Sequence, residues 1–311
     1  MNSRQATSAD KSPWGRLIVG LLVFLVSVGV LPPGPLAVSA QGVGWECQTP
    51  IAVEATPVGT PVAPEQDPGG FPVDGGDLTV FAAASLTDAF EVIEQELEAK
   101  IPNLSITYNF GGSQALVTQL EEGAQADVFA SANIAQMEAA IESNLVTGVA
   151  VPFVHNRLAI VTPADNPAGI EIAADLGRDE ILLVLAQPEV PAGRYARESV
   201  CLMATDAATY GPAFVERVSA NIVSEEEDVR DVLAKVALGE ADAGIVYVSD
   251  AVAAGDQVHV IEIPDAVNVV ASYPVAVLAE GDPALGSAFV AYLLSDEGQA
   301  LLERFGFQPV E

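Results

Sequence analysis

The stretch LTVFAAASLTDAF, residues 78–90, contains the transition that decides the fold class. Residues 78–83 form a short run of apolar and β-favouring residues, which predicts a buried β-strand. From Ser85 onward the apolar residues recur at the three- and four-residue intervals of a helix face. The stretch therefore predicts a strand that leads directly into an amphipathic helix, the opening of a βα unit.

Two serines occupy the same position in successive βα units. Ser85 stands where the first strand becomes a helix, and Ser113 follows the predicted strand 104–110 and two glycines. Each serine alone predicts only a helix cap. Because carboxyl ends of neighbouring parallel strands meet at one edge of a sheet, we expect both hydroxyls at the same place. Free N–H groups and the helix dipole make such a place suitable for an anion.

Strand-like and helix-like patterns alternate over the rest of the chain and predict an α/β fold. The strands are expected at 78–83, 104–110, 126–130, 158–162, 182–186, 259–263 and 273–279, and the main helices at 86–100, 114–121, 194–203, 214–218, 223–240 and 285–305. A length of about 230 residues is long for one sheet. We therefore expect two lobes with mostly parallel sheets, 77–155 plus 271–311 and 156–270, and a ligand in the cleft between them.

The amino-terminal 40 residues predict export from the cytoplasm. Arg4, Lys11 and Arg16 precede the apolar run 17–31, and Val38-Ser39-Ala40 offers a small-residue cleavage site. The run is short for a membrane span, although an uncleaved anchor stays open as an alternative. We expect the mature protein in the periplasm or on the outer face of the cell membrane.

Residues 41–76 predict a linker, and the overall composition limits the partners. The linker is rich in proline and glycine without apolar periodicity, so we expect it to be disordered. The chain has 50% hydrophobic residues, enough for a core, and a formal charge of −31. That charge argues against nucleic acid and anionic membranes as partners.

Cysteine and histidine supply little chemistry. A disulfide between Cys47 and Cys201 is permitted outside the cytoplasm. We nevertheless expect Cys201 to be a small buried residue in a helix and Cys47 to be unpaired. No cysteine or histidine spacing indicates zinc. His155 and His259 stand alone in their segments, which favours structural roles.

Three further positions offer neutral hydrogen-bond donors. The small residues Pro191-Ala192-Gly193 precede a helix. Val229 falls in the first turn of another helix, where its N–H has no acceptor inside the helix. Tyr247 ends the strand pattern GIVYV, where the phenol is either a packed ring or a single donor.

The motifs AAASL, GGS, ADVF, VPAGRYA, EDVR and GIVYVSDA occur in an order that resembles the periplasmic molybdate-binding proteins of ABC transporters. The resemblance extends from Leu78 to ERFGF near Phe307. It implies a type II periplasmic-binding fold, with two α/β lobes joined by two crossing strands. It also implies an oxyanion bound by the hydroxyls and N–H groups of two serines, two further backbone N–H groups and one phenol: Ser85, Ser113, Ala192, Val229 and Tyr247.

The same resemblance implies a receptor that captures molybdate or tungstate for an ABC transporter permease and its ATPase. No catalytic residue, no cofactor and no direct metal ligand is expected, and the protein is expected to be a monomer. Three alternatives remain: a receptor for sulfate or another tetrahedral oxyanion, a non-transport surface module, and a serine hydrolase that uses Ser113. The last is weak because GGSQA lacks the final glycine of a nucleophile elbow.

Overall fold

The strand-to-helix transition at residues 78–90 is present in the computed structural model, which describes Trp45, Cys47 and residues 70–310. A strand ends at Ala83, one 3₁₀ turn covers Ala84–Leu86, and an α-helix starts at Thr87. The predicted signal peptide and most of the predicted linker lie outside the described residues. Within them, no helix is long and apolar enough to cross a membrane.

The secondary structure follows the alternating pattern. The strands in the described part are β1 (Gly76–Ala83), β2 (Leu104–Gly111), β3 (Val128–Ala130), β4 (Val146–Pro163), β5 (Leu183–Ala186), β6 (Ile222–Glu226), β7 (Ala243–Tyr247), β8 (Val258–Glu262), β9 (Val270–Leu278) and β10 (Gln308–Pro309). The α-helices there are α1 (Thr87–Lys100), α2 (Ser113–Glu121), α3 (Ile134–Glu142), α4 (Pro191–Ala204), α5 (Ala207–Tyr210), α6 (Phe214–Ala220), α7 (Val229–Ala237), α8 (Val248–Ala254), α9 (Pro283–Leu294) and α10 (Asp296–Arg304).

The strands run in the order β2-β1-β3-β9-β4-β7-β5-β6, with β10 and β8 also paired to β4. Pairs of β1 with β2 and β3, and of β5 with β6 and β7, are parallel, as expected for strands linked by helices. The antiparallel pairs among the described strands all involve β4 or β9. The fold is therefore a mixed α/β fold.

The long strand β4 connects two sheets. Its first part pairs with β9 and β10, in the first sheet with β1, β2 and β3. Its second part pairs with β7 and β8, in the second sheet with β5 and β6. The chain passes to the second sheet along β4 and returns at the start of β9. The division into lobes at 155/156 and 270/271 remains a prediction.

Helices cover both faces of the first sheet, which explains why residues 80–83 of β1 are all apolar. Val80 and Ala82 face one hydrophobic cluster, whereas Phe81 faces a second cluster with Leu116 and Phe129. A strand buried on both faces has no polar side to alternate with its apolar side. All five side chains are at most 5% exposed.

Two predicted helices are wrong in extent. Residues 223–240 were expected to be one helix, but Ile222–Glu226 is a strand that pairs with β5, and the helix begins at Val229. Residues 285–305 were expected to be one helix, but Ser295 is extended and caps α10 by accepting the N–H of Gly298. In both places a cap inside a polar run marks the true start.

The expectation that Cys47 is unpaired is wrong. Cys47 forms a disulfide with Cys201 of α4, with a Cα–Cα distance of 5.6 Å. Trp45 packs against the core, and the Arg197 guanidinium lies 5.4 Å from its ring centroid. At these two positions, the segment predicted to be a free linker is therefore attached to the folded part.

Candidate functional site

The five predicted site residues line one small cavity. The residues around it come from strand ends and helix starts of both sheets: Ala83, Ala84, Ser85, Gly111, Gly112, Ser113, Ala132, Val190, Pro191, Ala192, Asp228, Val229 and Tyr247. The structure thus brings all five positions together, as the sequence predicted.

Ser85 lies in the 3₁₀ turn between β1 and α1 and is 4% exposed. Its Oγ is 2.8 Å from the Oη of Tyr273, a residue of β9. Both hydroxyls are buried, so this hydrogen bond is shielded from water. The tyrosine holds the serine at the cavity wall.

Ser113 is the first residue of α2 and is 1% exposed. Its Oγ accepts the backbone N–H of Ala132 at 3.0 Å. Because that N–H is donated to the oxygen, the proton of the Ser113 hydroxyl is free to point elsewhere. In this structure the hydroxyl is therefore a donor at the cavity.

Two helices that begin at the cavity have no side-chain cap. The residues before α2 and α4, Gly112 and Val190, make no capping hydrogen bond. Three helices that begin elsewhere, α3, α9 and α10, are capped by the side chains of Asn133, Asp282 and Ser295. The first N–H groups of α2 and α4 are thus left for another acceptor, and Ala192 lies among those of α4.

Close packing brings the start of α4 to the sheet. A Cβ atom added to Gly193 would overlap the backbone oxygens of Ala186 and Gln187, at the end of β5. Only glycine allows this approach. The neighbouring Ala192 is consequently held at the cavity wall with 1% exposure.

Val229 reaches the cavity through the start of α7. The Asp228 side chain caps this helix by accepting the N–H groups of Arg230 and Asp231, at 2.7 and 3.1 Å. Val229 precedes both as the first helical residue, so its N–H has no acceptor inside the helix. The cap thus serves the neighbouring N–H groups and leaves this one for the cavity.

Tyr247 ends β7 and is 1% exposed, and its Oη makes no hydrogen bond. Burial raises the pKa of the phenol well above its ordinary value, so the hydroxyl stays protonated. A buried phenol without a partner carries a cost unless a ligand accepts from it. This side chain is therefore a donor that awaits an acceptor in the cavity.

Asp250 forms a hydrogen bond with the backbone of Tyr247. Its Oδ2 accepts the Tyr247 N–H at 3.1 Å, and its Oδ1 lies 3.6 Å from Nη1 of Arg230. Burial raises the pKa of the carboxyl to about 7, and the positive charge of Arg230 opposes this rise. Asp250 is thus only partly ionised at neutral pH.

Among the described residues that line the cavity, none is Lys, Arg or His. Arg194, which neighbours the start of α4, is exposed and does not line it. The described part of the chain also has no group of His, Cys, Asp and Glu suited to a metal ion. The polar groups at the cavity are therefore neutral donors together with the Asp228 carboxylate, which caps α7, and none of these described residues is a histidine that could act as a base for Ser113.

Two contacts join the elements on opposite sides of the cavity. The Gln114 amide nitrogen donates to the Glu227 carbonyl at 3.1 Å. Nη1 of Arg230 lies 2.6 Å from Oδ2 of Asp88, so α7 is tied to α1. These contacts hold the first sheet and the second sheet against each other around the cavity.

The sequence reasoning missed the residues that support the cavity. Asn156 and Tyr273 are fully buried polar residues on β4 and β9, and they form hydrogen bonds behind Ser85. Asn156 lies two positions before the predicted strand 158–162, and only the longer observed β4 includes it, so no signal in the sequence pointed to it. Tyr273 was predicted only as part of a strand, since an aromatic residue there is ordinary.

Two sheets joined by β4 and β9, with a donor-lined cavity between helix starts, are the arrangement of a solute-binding protein. The chain belongs to the bacterial extracellular solute-binding protein family, whose model matches residues 78–308. It is 40% identical over 246 residues to the molybdate-binding protein ModA of Mycobacterium bovis, covering 79% of this chain and 89% of that protein. It is 35% identical to ModA of Escherichia coli, covering 75% and 90%.

Solved structures show the same fold. The substrate-binding domain of a putative molybdenum ABC transporter from Clostridium difficile has a TM-score of 0.56 and 32% identity, covering 76% of this chain and 99% of that chain. The sulfate-binding protein SubI of Mycobacterium tuberculosis has a TM-score of 0.65 at 19% identity, covering 76% and 87%. At that identity SubI is evidence for the fold alone.

Proposed function

We propose that this protein is an extracytoplasmic receptor that captures molybdate, and also tungstate, for import by an ABC transporter. The observation that carries the proposal is the convergence of Ser85, Ser113, Ala192, Val229 and Tyr247 on one small cavity. Relatives of 40% and 35% identity named as molybdate-binding proteins support the choice of ligand.

Neutral donors are sufficient to hold a dianion. Each hydrogen bond to a charged acceptor contributes about 1.5–3 kcal/mol, and several acting together reach micromolar binding or better after the costs of association. Helix N-termini add favourable dipoles. Such a site needs no cation, which agrees with the lining of the cavity.

The donor set predicts the selectivity. Hydrogen phosphate carries an O–H, which would need an acceptor that these five positions do not supply. Sulfate is fully deprotonated but smaller than molybdate, so only the fit to the cavity rejects it. Tungstate is nearly the size of molybdate, and we expect it to bind.

The transport role adds further proposals. Residues 1–40 direct export, the segment before β1 forms a linker that the Cys47–Cys201 disulfide attaches to the folded part, and the two sheets belong to lobes that close on the anion. A monomer delivers the anion to a permease coupled to an ATPase. The strongly acidic composition, with a charge of −31, argues against nucleic acid as a partner.

Calorimetric titration tests the proposal. The purified chain, with its disulfide intact, is titrated with molybdate, tungstate, sulfate and phosphate. Molybdate and tungstate are expected to bind at micromolar or lower concentration, with sulfate and phosphate at least a hundredfold weaker. Preference for sulfate would favour the second candidate, a receptor for another tetrahedral oxyanion. No binding of any of the four would favour a non-transport module.

A further inference from the structure

A chain of four buried polar side chains lies behind the cavity. It consists of Ser85, Tyr273, Asn156 and Ser249, and we call it the buried polar chain. Tyr273 Oη is 2.8 Å from Ser85 Oγ, and Asn156 Nδ2 is 3.4 Å from Tyr273 Oη and 2.8 Å from Ser249 Oγ. All four residues are at most 4% exposed. The buried polar chain therefore links the turn before α1 to β9, β4 and α8.

The amide of Asn156 has a defined orientation. Its Oδ1 accepts the backbone N–H of Arg157 at 2.9 Å. Because a backbone N–H can only donate, the oxygen of the amide must face it and the nitrogen must face Tyr273. An amide nitrogen only donates, so the Tyr273 oxygen is an acceptor on that side.

The orientation continues to the cavity. With one lone pair of Tyr273 Oη occupied by Asn156, the phenolic proton is free to point to Ser85 Oγ. If the Ser85 oxygen accepts that proton, its own hydroxyl proton points away from Tyr273. Ser85 lines the cavity, whereas Tyr273 does not.

Ser113 also accepts a hydrogen bond on its Oγ, and here the donor is a backbone N–H that can only donate. Its Oγ accepts the Ala132 N–H, which cannot reverse. When Tyr273 donates to Ser85, both serines have a lone pair occupied by a donor of the protein. The two hydroxyls differ only in that one is oriented by the backbone and the other by a side chain.

We propose that Tyr273, oriented by Asn156, is a positioning residue that turns the Ser85 hydroxyl into a donor toward the bound anion. This inference rests on the proposed function and adds a determinant of specificity to it. A serine free to rotate offers either a proton or a lone pair, and a lone pair would accept from a protonated anion. Fixing the proton restricts the site to fully deprotonated oxyanions. Burial raises the pKa of Tyr273, so the phenol keeps the proton that it donates to Ser85.

A double-mutant cycle tests this role, with molybdate affinity as the readout. Tyr273→Phe is expected to weaken binding roughly tenfold in the wild-type background. In the Ser85→Ala background the same substitution is expected to change affinity less than about twofold, because the hydroxyl it orients is absent. Tyr273→Phe should also narrow the ratio of molybdate to hydrogen phosphate affinity. Equal losses in both backgrounds would overturn the proposal.

A matched control is Tyr108→Phe, which removes a hydroxyl that donates to the Phe90 carbonyl at 3.0 Å, away from the cavity. Its molybdate affinity is expected to equal that of the wild type. If the wild-type chain binds no oxyanion, the proposed function fails and this inference with it. If the wild type binds and the cycle is additive, only the positioning role fails.

Asn156→Asp gives an independent test if Tyr273→Phe is poorly folded. A carboxylate at position 156 accepts the phenolic proton of Tyr273, so the Tyr273 oxygen accepts the hydroxyl proton of Ser85. The hydrogen bonds of the buried polar chain then run in the opposite direction, and a lone pair of Ser85 faces the anion. Affinity is expected to fall more than tenfold and to recover relative to wild type as the pH is lowered, since the protonated carboxyl donates again. Affinity equal to wild type, or a loss without recovery at low pH, would overturn the proposal.

Discussion

Arg230 and Asp88 form an ion pair, 2.6 Å between Nη1 and Oδ2, that joins the start of α7 to the first turn of α1. Each residue lies next to a predicted anion donor, since Arg230 follows Val229 and Asp88 is three positions after Ser85. The pair is partly exposed, which limits its contribution to about 1 kcal/mol or less.

Asp88→Asn is expected to weaken molybdate binding roughly two- to fivefold, with the change in the dissociation rate. The ion pair forms only when α1 and α7 are together, so its loss favours release. Stopped-flow kinetics measures this. Arg304→Ala is the control, because its ion pair with Glu96 joins α10 and α1 on the same side of the cavity. A change in the association rate alone would contradict the interpretation.

Ser85→Ala, Ser113→Ala and Tyr247→Phe are each expected to weaken molybdate binding about tenfold or more, since each removes a donor to a charged acceptor. Calorimetry measures affinity, and thermal unfolding checks that each variant is folded. Ser143→Ala, at an exposed serine that bonds Glu121, serves as the control. Unchanged affinity in all three variants would place the binding site elsewhere.

Gly112→Ala is expected to lower affinity with little loss of stability. A Cβ at Gly112 would lie 2.6 Å from the Glu227 carbonyl oxygen across the cavity, and the backbone φ of −61° is acceptable for alanine. The methyl group is therefore expected to hinder the close approach of the segments that contain Gly112 and Glu227, without straining the backbone at position 112. At Gly111 a Cβ would make only ordinary contacts with Leu116, at 3.6 Å, so Gly111→Ala is the matched control. Equal affinities for the two variants would contradict this prediction.

Asp250 predicts a pH dependence of stability. Its pKa is raised from 3.8 to about 7 by burial, so between these values the unfolded chain is ionised while the folded protein retains the proton. The folded state then binds more protons, and this group makes stability fall as pH rises from about 4 to about 7. Above pH 7 the loss of folding stability from this group reaches its full value of roughly 4 kcal/mol, since one pKa unit corresponds to about 1.4 kcal/mol.

Asp250→Asn removes that cost and keeps an oxygen for the Tyr247 N–H. Denaturant unfolding of both proteins is expected to show equal stability near pH 4 and an advantage for the variant that grows up to about pH 7. A difference independent of pH would show that Asp250 is ionised throughout.

Cys47→Ser is expected to lower the free energy of unfolding by roughly 5 kcal/mol, as the disulfide closes a loop with a sequence separation of 154. Molybdate affinity should be unchanged, because neither cysteine lines the cavity. Denaturant unfolding with and without reductant measures the first effect, and calorimetry measures the second. Equal stability of the reduced and oxidised protein would contradict this prediction.

Local pattern singled out several of the candidate positions, and the family resemblance supplied the full set, but neither pointed to the residues that support them. Ser85, Ser113 and Val229 were identifiable because each stands at a helix start, which a change of period marks in the sequence. Tyr273 and Asn156 were not, because their partners are distant in sequence: 188 positions separate Tyr273 from Ser85. Pairings of that range depend on the tertiary fold.

The errors in the predicted elements have the same origin. The acidic run before Asp228 has the composition of a helix start, yet Ile222–Glu226 is a strand because β5 pairs with it. Tertiary pairing overrode a local preference there. The Cys47–Cys201 disulfide was missed since spacing alone does not define a pairing.

The lack of a cation at the cavity has a kinetic consequence. A protein with a charge of −31 repels an approaching dianion at long range, and among the described residues that line the cavity no cation offsets that repulsion. Added salt shortens the range of the repulsion. Capture should therefore become faster as ionic strength increases, opposite to receptors that attract anions with lysine and arginine, and this protein would work best in a saline medium.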